Sequence, residues 1–129
     1  MSIADTDLNT LTDVYLRHHS QKEQADFWAW LEVERRVRTS LHRGWEVTLL
    51  LLKKAKTDAA LGYVAAGPLE DLIDGYGNAA FDLVELEFDR DSRLQLALSG
   101  IWIDYNSPEF ERWSALMMKY GFTEGRARL

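Results

Sequence analysis

The side chains in this sequence best suited to chemistry are its acids. Between Thr57 and Asp89 there is no Lys or Arg but there are eight carboxylates: Asp58, Glu70, Asp71, Asp74, Asp82, Glu85, Glu87 and Asp89. Grouped carboxylates can hold a hard cation, share general acid–base work, or present negative charge to a basic partner. The cation reading lacks the alternating Asp/Asn spacing of a calcium loop. The acid–base reading needs Asp71, Asp74, Asp82 and Glu85 to converge in three dimensions, which spacing alone does not require. The charged-surface reading asks only for solvent exposure.

Other chemistry has less support. His19–Glu23 and His42–Glu46 have the i, i+4 spacing that two ligands on one helix face need, yet ordinary surface contacts explain them, and no Glu-x-x-His signature occurs. The chain has no cysteine, so disulfides, thiolate zinc sites and cysteine nucleophiles are excluded. Ser99 stands in Ala-Leu-Ser-Gly-Ile, not in the Gly-x-Ser-x-Gly turn of a hydrolase. No catalytic residue, metal site or cofactor is expected.

The glycine-rich stretch GYVAAGPLEDLIDGYG, Gly62 to Gly77, could be a phosphate-cradling loop, but its parts disagree. Such a loop places lysine and a hydroxyl residue after its glycines, whereas Gly67 is followed by Pro68-Leu69-Glu70-Asp71. The residue types suit punctuation between helices instead. Gly67 would close one helix in a left-handed conformation, and Pro68 would open the next. Glu70 and Asp71 would then face the free N–H groups of the first turn.

The elements that must position these groups read as helices. Leu8, Leu11 and Tyr15 recur at helical spacing in the first segment. Ser20 followed by Glu23 matches a capping box for a second helix bearing Phe27, Trp28, Trp30, Leu31, Val33 and Val37. WEVTLLLLKKA reads as a largely buried central helix, with Lys53, Lys54 and Lys56 at its carbonyl end. NAAFDLVELEFD fits a helix capped by Asn78, burying Phe81, Val84 and Phe88, better than it fits a strand. DSRLQLALSGIW places Leu94, Leu98 and Ile101 inward. SPEFERWSALMMKYG has Ser107 as cap, Pro108 at the first position and Gly121 as stop.

Seven to eight short helices joined by tight turns imply an all-α domain, either a compact bundle or a short solenoid of helical hairpins. One domain over residues 1–129 is expected, with 121–129 as a frayed tail. The aromatic residues, five Trp, five Tyr and five Phe, supply a core and exclude a disordered chain. Packing accounts for the tryptophans except Trp102, which runs into a loop with Asp104, Tyr105 and Asn106. The N-terminal sequence lacks a signal-peptide pattern and the longest apolar run, Val47 to Leu52, is too short to span a bilayer. A cytoplasmic location without membrane contact is the expectation.

Formal net charge is −6, which disfavours nucleic acid as a partner. The charge is also polarised. Arg35, Arg36, Arg38, Arg43, Lys53, Lys54 and Lys56 precede the acidic block, with Glu46 the one acid among them.

Four segments together resemble a known family. They are Trp28-Ala29-Trp30, Gly44-Trp45-Glu46, Tyr63-Val64-Ala65-Ala66-Gly67-Pro68-Leu69-Glu70-Asp71-Leu72-Ile73 and Leu98-Ser99-Gly100-Ile101-Trp102. The family is a bacterial group of small helical proteins of unknown function with a Gly-Ala-Gly-Pro-Leu-Glu-Asp-Leu-Leu hallmark. The resemblance covers roughly residues 25–103. Ala65 stands where the hallmark has its first glycine, and Arg38-Thr39-Ser40-Leu41-His42 replaces a Pro-Glu helix start. The resemblance implies a helical fold and hands over no catalytic residues.

The expected function is that of a binding module, an inhibitor, adaptor or immunity-type protein. It would present Asp71, Asp74, Asp82, Glu85, Asp89 and Trp102 to a basic protein partner. The alternatives are a small enzyme or ligand-binding protein with a carboxylate- and Trp-lined cleft, and a homo-oligomer in which basic block meets acidic block.

Overall fold

The structure, a computed structural model, describes residues 7–22 and 24–121, and every regular element among them is helical. In chain order these are α1 (Leu8–Gln21), a 3-10 turn (Gln24–Asp26), α2 (Phe27–Thr39), α3 (Leu41–Lys54) and α4 (Asp58–Val64). A π-helical turn (Ala65–Leu69) leads into α5 (Glu70–Tyr76), followed by α6 (Asn78–Phe88), α7 (Ser92–Ser99) and α8 (Phe110–Tyr120). Because α4, the π turn and α5 run on without a break, the eight α-helical segments form seven rods. The expected tail beyond Gly121 lies outside the described residues.

Local chemistry fixes most of the starts. The side chains of Asp7, Ser40, Thr57 and Asp91 accept the backbone N–H groups of Thr10, Arg43, Ala60 and Leu94, respectively. Each satisfies a donor that has no partner inside its helix. The stops are equally local: Gly121 takes a left-handed φ of 109° after α8.

Packing centres on α3, which touches α1, α2, α4, the π turn, α5, α6 and α7. Contacts that skip neighbours, such as α2 with α5 and α4 with α7, make this the bundle of the two expected arrangements. Val47, Leu51 and Leu52 of α3 are fully buried, and α2 crosses at Gly44. A Cβ on Gly44 would lie 2.8 Å from the Val37 Cα and 2.9 Å from a Leu72 methyl, so only glycine admits this approach. Trp113 of α8 is fully buried and donates its indole N–H to the Leu98 carbonyl at 3.0 Å. Tyr76 ties the end of α5 to α2, donating to the Val37 carbonyl at 2.8 Å.

Several expected boundaries are corrected. Ser20 caps nothing: it lies within α1, where its hydroxyl donates to the Arg17 carbonyl, and α2 starts after Asp26. Its supposed capping partner Glu23 lies outside the described residues. Asn78 is the first residue of α6 and Gly77, with φ 56°, makes the turn before it. Ser107 and Pro108 form a turn, and α8 begins at Phe110. The 78–88 segment is a helix, with Phe81, Val84 and Phe88 buried as the helical spacing requires.

The largest correction falls on Gly67 and Pro68. Positive φ among the described glycines is confined to Gly77 and Gly121, so Gly67 does not stop a helix. Pro68 sits inside the continuous α4–π–α5 rod. Proline has no N–H to offer the carbonyl four residues back, and its ring crowds that carbonyl. Widening the turn by one residue relieves the crowding, and the Glu70 N–H reaches five residues back to the Ala65 carbonyl. Glu70 and Asp71 therefore meet no free N–H groups of a helix start; they project from the middle of a rod.

No helix among the described residues is long and apolar enough to cross a membrane.

Candidate functional site

The π turn sets the direction of α5. One extra residue turns everything after it by about 100°, the angle per residue of an α-helix. At the turn, Gly67 lies against Tyr15 of α1: a Cβ there would stand 3.4 Å from the Tyr15 hydroxyl. Tyr15 is 2% exposed, and burial pushes its hydroxyl well above the usual tyrosine range, with Tyr63 and Asp71 adding to the effect. It stays a neutral hydroxyl at any physiological pH.

Asp71 and Asp74 stand on the outer side of α5, one turn apart. The carboxyl of Asp71 is raised by partial burial first, then by the charges of Asp74, Glu70 and Glu34. That of Asp74 is raised by partial burial and then by Glu109. Glu34 comes from α2, Glu109 from the turn before α8, so three parts of the chain bring carboxylates to one face. Arg38 reaches Glu34 at 3.2 Å, while Asp71 and Asp74 have no cation partner among the described residues. The neighbouring carboxylates disfavour ionisation of Asp71 and Asp74, and the face is rich in negative charge.

The remaining acidic candidates are arranged differently. Arg112 of α8 bridges Asp82 at 3.0 Å and Glu85 at 2.8 Å, and its guanidinium lies over the Phe81 ring at 5.7 Å. Lys119 meets Asp89 at 2.7 Å. These three acids are exposed but already paired within the chain. They form a second acidic face at α6, its carboxylates paired with cations where Asp71 and Asp74 on α5 have none among the described residues.

Trp102 lies in the connection between α7 and α8. Ile101 and Ile103 on either side are buried, which turns the Trp102 side chain outward at 57% exposure. Its backbone N–H donates to Glu70 Oε2 at 3.0 Å, so the backbone at Trp102 is tied to the rod that carries Asp71 and Asp74.

The depressions beside these acids are small. One, of about 40 Å³, lies between Tyr15, Trp30, Glu34, Gly67 and Asp71, room for about one water. The next, of about 370 Å³, is lined by Glu34, Val37, Arg38, Asp71, Gly75 and Tyr76. Neither lining includes Trp102. Among the described residues no group of three His, Asp or Glu side chains is placed to hold a metal ion.

The sequence singles out Asp71, Asp74 and Trp102 as candidates, and the structure places Glu34, Glu109 and Tyr15 around the first two. Tyr15 carries the helical spacing of a core residue and is one; its hydroxyl gives no separate signal. Glu34 and Glu109 lie far from the acidic block in sequence, and only the fold brings them to it.

Comparison with known proteins matches residues 17–119 to a family described only as a family of unknown function, DUF6869. No curated protein matches, and neither does any solved structure.

Proposed function

We propose that this chain, which belongs to DUF6869, is a protein-binding module that offers an acidic face to a basic protein partner. The class is that of inhibitors, adaptors and immunity-type proteins acting in the cytoplasm. The observation that carries the reading is the pair Asp71 and Asp74: exposed, without a cation partner among the described residues, and crowded by Glu34, Glu70 and Glu109. Mutual repulsion of this kind is relieved when a cationic side chain arrives, which favours association and discriminates against acidic partners. Trp102 adds a large apolar group to the same rod, and an exposed aromatic beside charge is typical of interface anchors. The pairs Arg112–Asp82–Glu85 and Lys119–Asp89 leave less charge on α6 to attract a partner. The α5 face is therefore the primary surface and α6 the flank. The stretch Ala66-Gly67-Pro68-Leu69-Glu70-Asp71-Leu72, which brings Asp71 to this face, resembles the core of the bacterial hallmark.

The test is affinity capture with tagged protein from lysate of its native cells at low and high salt, followed by titration with the captured protein. Asp71→Lys with Asp74→Lys should abolish capture of a stoichiometric basic partner and flatten its salt dependence. Asp82→Lys with Glu85→Lys should weaken capture less. Capture that survives the α5 reversal unchanged, or that yields no basic protein, overturns the reading.

A further inference from the structure

We propose that the cleft between α1, α3 and α4 binds a free, single-chain anionic amphiphile, an alkyl chain ending in a carboxylate or phosphate. The cleft lies apart from the acidic face and has a volume of about 930 Å³, at the upper end of small-molecule sites. Its apolar lining comes from Leu16 of α1, Leu50 of α3, and Ala55, Ala59 and Ala60 around the start of α4. Four cations border it, Arg17, Lys53, Lys54 and Lys56, against one acid, Asp13.

Two of those cations are already engaged. Lys54 is held by Asp13 at 3.0 Å and by the Thr12 hydroxyl at 2.9 Å, and Arg17 is held by Asp26 at 2.8 Å. Lys53 and Lys56 have no anionic partner among the described residues, and the exposed ammonium groups flank the apolar floor. A ligand matching this arrangement needs an apolar body for the methyl-lined floor and an anionic head for the lysines. A purely hydrophilic anion would leave the floor wet, and a cationic amphiphile would meet repulsion. The floor is bordered by three helices and has room for a single alkyl chain laid along it, and the vesicle arm below separates this from the protein lying on a bilayer.

The experiment is an NMR titration of the full chain with dodecanoate and with dodecyl phosphate, each below its micelle concentration. Dodecyltrimethylammonium, a Glu-rich synthetic peptide and phosphatidylglycerol vesicles are run as separate arms. The expected result is saturable one-to-one binding of both anionic amphiphiles, with shifts at Leu16, Leu50, Ala59 and Ala60. Lys53→Gln with Lys56→Gln should weaken it about tenfold while leaving the remaining spectrum in place. No saturable binding, equal binding of the cationic amphiphile, tighter binding of the peptide, or association with vesicles alone overturns the proposal.

Discussion

Glu70 and Trp102 are joined by a hydrogen bond from the Trp102 backbone N–H to Glu70 Oε2, at 3.0 Å. It links the rod after the π turn to the connection between α7 and α8, thirty-two positions along the chain. Glu70→Ala removes the acceptor and should destabilise the protein by about 1 kcal/mol, as hydrogen bonds to charged groups at exposed sites do. Glu70→Gln keeps an acceptor and should recover part of that loss. Urea unfolding of the two variants, with Trp102 replaced by Phe as a fluorescence control, separates them; equal stability of Ala and Gln would show that the bond contributes nothing.

Asp71→Asn and Asp74→Asn should each raise stability at neutral pH, by about 0.5 kcal/mol after solvent screening. The sign follows from the raised carboxyls. A carboxyl whose folded value lies above its unfolded value makes no penalty while both states are protonated. The penalty grows as pH rises through the unfolded and then the folded value, and is complete above it. The gain from either substitution should therefore vanish in acid, which thermal melts from pH 3 to pH 7 would reveal.

Glu32 has the opposite sign. The guanidinium of Arg35 at 2.8 Å, outweighing the effect of burial, and that of Arg36 at 2.8 Å hold its carboxyl at about 2. Its stabilisation is present above the ordinary glutamate range and lost as pH falls from there through about 2. Both Glu32 and Arg36 are buried, so Glu32→Ala removes the carboxylate that Arg35 and Arg36 share and should cost about 1.5–3 kcal/mol, the worth of a hydrogen bond to a charged group. Glu32→Ala should also lose the acid-induced part of unfolding in that pH window. A variant that melts with the parent's pH profile would contradict the assignment.

His19→Phe should stabilise the protein by about 1 kcal/mol at pH 7.5. The His19 ring stacks on Tyr63 with centroids 4.3 Å apart, a contact that Phe retains. Its Nδ1 is buried with no hydrogen-bond partner among the described residues, a state that costs free energy. Burial also lowers the imidazole's affinity for a proton, so the gain should hold across neutral pH. A less stable variant in calorimetry would show that Nδ1 is satisfied in solution.

The helices were legible because their apolar spacing is decided residue by residue: Phe81, Val84 and Phe88 mark α6 without knowledge of any neighbour. The π turn was not. Gly67 and Pro68 carry strong local signals for a break, and the fold overrides them by burying Pro68 and Leu69 under α2 and α3. Half of the acidic face was legible for the same local reason. Asp71 and Asp74 belong to a visible block, while Glu34 and Glu109 join them only through tertiary packing. The neutralisation of Asp82, Glu85 and Asp89 was hidden likewise, because Arg112 and Lys119 lie beyond the block.

The alternation Ile101 inward, Trp102 outward, Ile103 inward bears on the rate at which the proposed partner would be recognised. A loop that must first order itself spends encounters in unproductive shapes, and its anchor loses freedom on binding. Here the backbone beneath the indole is pinned on both sides by buried isoleucines and by Glu70, so that freedom is surrendered when the chain folds. The indole is thus carried on a stretch of backbone that is already ordered. If the proposed partner docks here, a larger share of chance collisions would find that backbone already in place.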